Sequence, residues 1–408
     1  MIGVIADDVT GATDVAAALS RAGLRTMLVL TTDIDDTPVD ADAIVIGLKT
    51  RSMPIAAAVE LSTTALSLLQ RLGADRFYVK YCSTFDSTDE GNIGPITEAL
   101  AARLGVTTVV TTPAAPLHGR TVYQGHLFVG DALLHETHMR DHPVTPMRDS
   151  SVLRLLVPQT TGSVGLLPLD AVRAGADRVR DRITAAEAEG HRHLVVDAVE
   201  EDDLATVAAA VDGAVLLAGS AGLIGAIARR SPRTAGRIPR TPAGRTAIIA
   251  GSCSRRTLEQ IARFRDAGGP SYRLLAAAGE SADDLAARAL SWWDQQRDGD
   301  SALIYSSSAA EERAALDAGY GELYEAAAGL IAQQLVARGI SRMVIAGGET
   351  SGEVIRSLGT RIAVVGEEAA LGAPWVHDLT RDLQLVLKSG NFGSPEFFVD
   401  IALRGVLA

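Results

Sequence analysis

The chain has 408 residues and a net charge of −12, which argues against a nucleic-acid partner, for which a basic stripe would be expected. Its 47% hydrophobic and 22% charged content is that of a soluble globular protein, and its length exceeds one ordinary core, so two or three domains are expected. No apolar run approaches ~20 residues, which excludes a membrane span, and Met1 runs into a strand with no secretory leader before it.

In chain order, Ile2-Gly3-Val4-Ile5-Ala6 reads as a buried strand that leaves through Asp7-Asp8-Val9-Thr10-Gly11, followed by a helix over Asp14 to Arg21. Strands are expected at Met27 to Leu30 and Ile44 to Ile46, the second leaving through Gly47-Leu48-Lys49-Thr50-Arg51-Ser52. Pro54 suits the first turn of a helix that runs to about Leu72. Arg76 to Val79 is a further strand, leaving through Lys80-Tyr81-Cys82-Ser83-Thr84-Phe85-Asp86-Ser87, and Asn92-Ile93-Gly94-Pro95 opens the next helix. A strand is expected at Thr107 to Val110, a long irregular stretch from Thr111 to Ser150, and one helical pattern from Asp170 to Glu189. Strands follow at Leu194 to Val196 and Val215 to Leu217.

From about Arg229 to Gly244 prolines and arginines replace apolar periodicity, which marks a linker over 231–244 between a domain at 1–230 and one at 245–408. A second series of strands begins at Ala247 to Ala250 and recurs at Leu303 to Tyr305, Met343 to Ala346 and Leu385 to Leu387. Strands alternating with helices make this an α/β protein of two domains, each a mainly parallel sheet flanked by helices.

Only three of the 38 basic residues are lysine, and Lys49, Lys80 and Lys388 each follow a predicted strand, where a compact ammonium has uses that a planar guanidinium lacks. In an open α/β sheet the carboxyl ends of the strands lie on one side, so the loops holding Asp7-Asp8, Lys49 to Ser52 and Lys80 to Ser87 can share a crevice. Paired carboxylates can orient and deprotonate a hydroxyl or hold a metal, although acidic residues also cap helices. Lys49, Arg51, Lys80 and Arg120 can clamp an anionic substrate whose alcohols serine and threonine hydroxyls read. In the second domain Gly251-Ser252-Cys253-Ser254, Gly347-Gly348-Glu349-Thr350-Ser351-Gly352 and Lys388-Ser389-Gly390-Asn391-Phe392-Gly393 each follow a strand. Their glycines and the helix N-termini suit the phosphates of a nucleotide.

The absence of Gly-x-x-x-x-Gly-Lys-Ser/Thr excludes a P-loop enzyme, and the absence of Gly-x-Gly-x-x-Gly and Gly-x-Ser-x-Gly counts against a dinucleotide-binding fingerprint and an α/β-hydrolase. Five of the eight histidines fall between His118 and His142. His135, His138 and His142 would share one helical face, but nearby prolines and distant cysteines favour solvated or substrate-contacting roles over zinc. Cys82 and Cys253 fall in different domains, so no disulfide is expected and the cytoplasm is the natural compartment.

Several stretches resemble the four-carbon acid sugar kinases: Ile5 to Asp14, Lys80 to Gly94, Gly119 to Asp131, His142 to Met147, Gly251 to Ser254, Gly347 to Ser351 and Leu387 to Gly393. The resemblance spans essentially the whole chain, and the wording of Lys80 to Ser87 and Gly125 to Asp131 is most similar to the 3-oxo-tetronate 4-kinases. It implies an N-terminal acid-sugar-binding domain, a C-terminal ATP-binding domain and an active site in the cleft between them. The implied reaction transfers the γ-phosphate of ATP, with Mg²⁺, to the 4-hydroxyl of 3-oxo-tetronate (3-dehydro-L-erythronate or 3-dehydro-D-erythronate). The family pattern carries ATP contacts onto Ser254, Gly347, Gly348, Glu349, Thr350 and Gly390, and Ser252 and Asn391 lie in the same loops. Asp8, with Asp86 second, is expected to orient the acceptor hydroxyl. Lys49, Arg51, Lys80 and Arg120 would hold the carboxylate and the developing charge, with Asp7, Thr10 and Ser83 beside the acid. The partner is a small four-carbon acid sugar, with no nucleic acid and no membrane, and a homodimer is left open. The alternatives are a D-threonate or D-erythronate 4-kinase, an NAD-dependent dehydrogenase of four-carbon acid sugars, and a non-catalytic acid sensor.

Overall fold

The computed structural model describes residues 1–34, 40–142, 145–231, 244–307 and 320–404. The chain divides into two compact units, Met1–Gly236 and Arg237–Ala408. Most of the expected linker, 232–243, lies outside the described residues, as do two residues of the His142 to Met147 motif.

In the first unit the strands are β1 (Ile2–Ala6), β2 (Thr26–Val29), β3 (Ala43–Gly47), β4 (Arg76–Lys80), β5 (Val109–Thr112), β6 (Arg120–Tyr123), β7 (His126–Val129), β8 (Ala132–Leu133), β9 (Ser163–Leu167), β10 (His191–Val196) and β11 (Leu216–Gly219). A parallel sheet runs β2-β3-β1-β4-β11-β5-β10-β9. Its central strands are buried end to end, the mark of a sheet covered on both faces, which explains why they read as continuous apolar runs rather than alternating ones. β1 and β3 match the expected strands closely, and the expected helices appear at Val9–Arg21, Ile55–Arg71 and Ile93–Leu104.

Three expectations are corrected. The stretch to Ser150 is not wholly irregular: β6, β7 and β8 form a small antiparallel sheet of their own. The pattern over Asp170 to Glu189 is two helices, Leu169–Arg173 and Ala176–Ala188, separated at Gly175, whose φ of 105° no other residue type adopts comfortably. His135, His138 and His142 do not share a helix. His138 lies in a short 3₁₀ turn after Thr137, His135 in a separate one before it, and His142 follows the second in extended backbone.

The second unit contains β12 (Ala247–Ala250), β13 (Ser271–Arg273), β14 (Ala302–Tyr305), β15 (Arg342–Ala346), β16 (Ile362–Ala370), β17 (Ala373–Asp378) and β18 (Gln384–Lys388). The order is β13-β14-β12-β15-β18-β17-β16, parallel as far as β18 and antiparallel beyond it. Ile248, Leu303, Val344, Val386, Trp375 and Phe398 belong to its buried core. No helix among the described residues is long and apolar enough to cross a membrane.

Gln159 ties the loop after β4 to the helix that follows it. Its Nε2 donates to Ser87 Oγ (2.9 Å) and the Thr88 carbonyl (2.9 Å), and its Oε1 accepts from Ile93 N (3.1 Å) and Gly94 N (3.3 Å). A Cβ on Gly94 would sit 2.2 Å from the Gln159 carbonyl oxygen and 2.7 Å from its carbon, backbone that cannot swing aside. An alanine in a helix ordinarily gains about 1 kcal/mol over glycine. Gly94→Ala is expected to reverse that sign and lose about 1–3 kcal/mol through overpacking, read as a lower midpoint in thermal unfolding. A raised midpoint would contradict the packing described.

Candidate functional site

β1 lies between β3 and β4, and the chain leaves β1 toward β2 and β3 before crossing back to β4 on the other side. The carboxyl ends of β1 and β4 therefore form the switch point at which open parallel sheets bind ligands. Backbone hydrogen bonds fix the exit loops there: Asp7 N donates to the Lys80 carbonyl (3.1 Å), and Thr50 N (3.0 Å) and Arg51 N (3.2 Å) donate to the Asp7 carbonyl.

Arg51 organises the carboxylates. Its Nε and Nη2 donate to the two oxygens of Asp7 (2.8 and 2.9 Å), Nη2 also donates to Asp8 Oδ1 (2.9 Å), and Nη1 lies 3.7 Å from Asp86 Oδ2. Asp8 caps the Val9–Arg21 helix, accepting from Gly11 N (2.8 Å) and Thr10 Oγ1 (2.6 Å). Both environments are desolvated, yet they push the two neighbours apart. Burial raises the Asp7 carboxyl above its ordinary range despite Arg51. At Asp8 the opposing pull of Arg51, Lys80 and the local donors outweighs burial and holds it low. Asp86 accepts from Thr84 Oγ1 (2.6 Å) through Oδ1, leaving Oδ2 the least committed oxygen of the group.

Lys80 is buried at the end of β4. Its ammonium donates to the Tyr81 carbonyl (2.9 Å) and lies 3.7 Å from Asp14 Oδ2, while His118 Nε2 is 3.3 Å from Asp14 Oδ1. The loop after Lys80 is held by buried Tyr81, whose hydroxyl pairs with Thr111 Oγ1 (2.6 Å), and by Phe85 packed edge-on against it. Phe85 has a φ of 58°, an uncommon conformation for a bulky residue, and it re-aims the chain so that Thr84 and Asp86 meet. Burial, then the charge of Asp86, pushes the Cys82 thiol up to about 12, so Cys82 is a poor nucleophile.

A cavity at this point is lined by Asp7, Arg51, Lys80, Asp86, Ser87 and Asn92 among others. Thr50 and Asn92 also line it, and each has a buried oxygen without a hydrogen-bond partner among the described residues. Of the expected acid-binding residues, Thr10 and Arg51 join the carboxylate cluster directly. Lys49 is exposed and Ser83 half-buried, and neither lines this cavity. Arg120, at the start of β6, donates to the His118 carbonyl and keeps a buried Nε without a partner among the described residues. Burial and then the charges of Arg120 and His142 hold the His138 imidazole below its ordinary range, with Asp86 pulling the other way.

In the second unit three loops converge. Gly251 N and Ser252 N donate to the Ala346 carbonyl (3.0 Å each), and Gly347 N donates to the Lys388 carbonyl (3.0 Å). Ser254 caps the Arg255–Asp266 helix through Thr257 N (3.2 Å), and Gly347, with φ of 125°, opens the Gly348–Leu358 helix. A Cβ on Gly390 would lie 2.1 Å from Ser252 Oγ and 2.8 Å from Ser254 Oγ, and one on Gly251 would lie 2.2 Å from Thr350 Oγ1. Ser252, Ser254, Gly347, Gly348, Thr350 and Gly390 thus crowd one spot at two helix N-termini, the arrangement that receives phosphate. Glu349 and Asn391 are exposed at its edge.

Residues 2–227 match the family model for a sugar-binding N-terminal domain and residues 247–398 that for a nucleotide-binding C-terminal domain. The chain is 41% identical to the 3-oxo-tetronate kinase of Brucella melitensis, covering 98% of this chain and 94% of that one. It is 43% identical to the 3-oxo-tetronate kinase of Cupriavidus necator, with 99% and 96% covered. Among solved structures, a Salmonella typhimurium LT2 protein, there called a tRNA synthase, superposes with a TM-score of 0.87 at 39% identity over 98% of each chain. A Haemophilus influenzae protein superposes with a TM-score of 0.75 at 36% identity over 100% of each.

Asp14, His118, Asn92 and Gln159 carry parts of this site that motif reading did not assign. Asp14 ends the first signature stretch, two helical turns beyond Asp7, which is the signal that could have found it. Removing the guanidinium in Arg51→Leu strips Asp7 of its ion pair and leaves Asp8 its cap donors and Lys80 alone, at a cost of about 3 kcal/mol near pH 7. A buried unpaired carboxyl binds its proton more tightly folded than unfolded. The loss should therefore be small below pH ~4 and grow as pH rises through the ordinary carboxylate range. Denaturant unfolding of both proteins at pH 4 and pH 7 checks this, and an equal loss at the two values would contradict it.

Proposed function

We propose, for a chain that belongs to the four-carbon acid sugar kinase family, that it catalyses ATP-dependent phosphorylation of the 4-hydroxyl of 3-oxo-tetronate. The observation that carries this reading is near-full-length similarity, at about two residues in five, to proteins named 3-oxo-tetronate kinase. The geometry agrees with it: an Arg51-centred cluster at a sheet switch point for a small acid, and three glycine-rich loops for a nucleotide. We assign the acid to residues 1–230 and the nucleotide to 245–408, with 231–244 as linker. A net charge of −12 gives no support to a nucleic-acid substrate.

In the proposed reaction Lys80 and Arg120 hold the acid's carboxylate, Thr10 acts through Asp8, and Lys49 and Ser83, which do not line the cavity, stand at its periphery. The 4-hydroxyl oxygen attacks the γ-phosphorus, the bond to the β–γ bridging oxygen breaks, and ADP leaves. The hydroxyl proton passes to a carboxylate. Asp86 takes that role through its open Oδ2, while Asp8, committed to the helix cap and Arg51, and Asp7 fix the guanidinium that stabilises developing charge. Ser252, Ser254, Gly347, Gly348, Glu349, Thr350, Gly390 and Asn391 hold ATP. Mg²⁺ would come with the nucleotide phosphates, whose charge it offsets during transfer. The cytoplasm, where ATP is available and thiols such as Cys82 and Cys253 stay reduced, is the compartment this reading calls for.

ADP release measured with 3-oxo-tetronate, D-threonate and D-erythronate tests the reading, with 3-oxo-tetronate expected to give the highest kcat/KM. Preference for either non-oxo acid would overturn the substrate, and NAD reduction without ADP release would overturn the reaction. Asp86→Asn is expected to lower kcat by roughly 10²–10⁴-fold with little change in KM for the acid. A larger kcat loss in Asp8→Asn than in Asp86→Asn would return the proton-accepting role to Asp8.

A further inference from the structure

Lys388 ends β18 directly beneath the nucleotide loops and is fully buried. All three of its donors are spent on neutral acceptors: Thr257 Oγ1 (3.2 Å), the Ser389 carbonyl (3.1 Å) and the Gly390 carbonyl (3.2 Å). Thr257 Oγ1 in turn donates to the Gly390 carbonyl (2.8 Å), so one ammonium ties the Ser389–Gly390 turn to the Arg255–Asp266 helix. Phe398 covers its other side, with Nζ 5.8 Å from the ring centroid.

No carboxylate lies within ion-pair distance of Lys388 among the described residues. The helix carries Arg255, Arg256, Glu259, Arg263, Arg265 and Asp266, with Cys253 before it and Glu349 after β15, and the segment around Phe398 carries Glu396, paired with Arg263 (3.6 Å), and Asp400, paired with Arg404 (2.7 Å). Glu259 is taken by Arg256 (3.0 Å), and Arg256 is the ionisable neighbour whose charge reaches Lys388, where it opposes the ammonium. A buried cation without a counter-ion is costly, and lysine, unlike arginine, can shed its proton to avoid the cost. The missing negative charge is what a nucleotide's phosphates would bring.

We propose that Lys388 is the positioning residue and buried positive charge of the nucleotide site, holding the Ser389–Gly390 turn on the helix and taking up a proton as the phosphates bind. Burial, with Arg256 adding to it, lowers the lysine to about 7 in the free protein, so above neutral pH a large share of the free site carries a neutral amine. A bound polyphosphate favours the ammonium and raises that value, so nucleotide affinity is full below pH 7 and falls as pH rises above it. The free fold responds in the opposite sense. The unfolded lysine holds its proton to about pH 10, so its burial penalty is relieved as pH climbs from 7.

This inference rests on the nucleotide-binding reading of the C-terminal domain, and calorimetric titration of the full chain with ADP separates the two. At pH 8, in buffers of different ionisation enthalpy, the wild type should take up a substantial fraction of a proton per ADP bound. Its Kd should rise on the order of tenfold between pH 7 and pH 9. Lys388→Met should bind ADP more weakly with no uptake, and Lys388→Arg, permanently charged, should also show none. Wild-type binding without uptake, or uptake that persists in Lys388→Met, overturns the proposal while leaving the nucleotide reading intact. No ADP binding at all overturns both.

Discussion

The arrangement in the first unit depends on one half-buried guanidinium. Arg51 is placed by backbone hydrogen bonds to the end of β1 and pairs with Asp7 and Asp8, two adjacent carboxylates whose repulsion in a desolvated site it offsets together with Lys80. The planar fork matters, because its parallel donors meet both oxygens of Asp7 side-on while one also reaches Asp8, a bidentate geometry that a lysine's point charge does not match. Lys80 adds the second positive charge, steadied by Asp14 and by the Tyr81 carbonyl.

The three lysines of this arginine-rich chain now divide by environment. Lys49 is exposed, Lys80 is buried beside a carboxylate, and Lys388 is buried without one. The same residue type after three strands therefore supplies different chemistry. Burial alone separates the first from the others, and the presence of Asp14 separates the second from the third.

Much of this was legible in the sequence, for identifiable reasons. Strands such as Ile2–Ala6 and Ala247–Ala250 are buried on both faces and so announce themselves as short apolar runs, and the polar residues that follow them must lie at one edge of the sheet. That logic places Asp7, Asp8, Arg51, Lys80 and the three glycine loops. It fails for β6 to β8, whose two to four residues are mostly half-exposed and whose longest apolar run is Leu127-Phe128-Val129. It fails also for the antiparallel end of the second sheet and for Gln159, whose partners at Ser87 and Gly94 lie more than sixty residues away. Capping a helix and facing a charged site are not alternatives for Asp8. The structure gives it the cap and the Arg51 contact together.

Phosphorus-31 spectroscopy of the purified chain with ATP, Mg²⁺ and 3-oxo-tetronate reads the product itself. A new phosphomonoester resonance is expected, coupled to the protons on C4 of the acid and growing one-for-one with ADP. Loss of ATP to ADP and inorganic phosphate alone, or a phosphoester at another carbon, would contradict it.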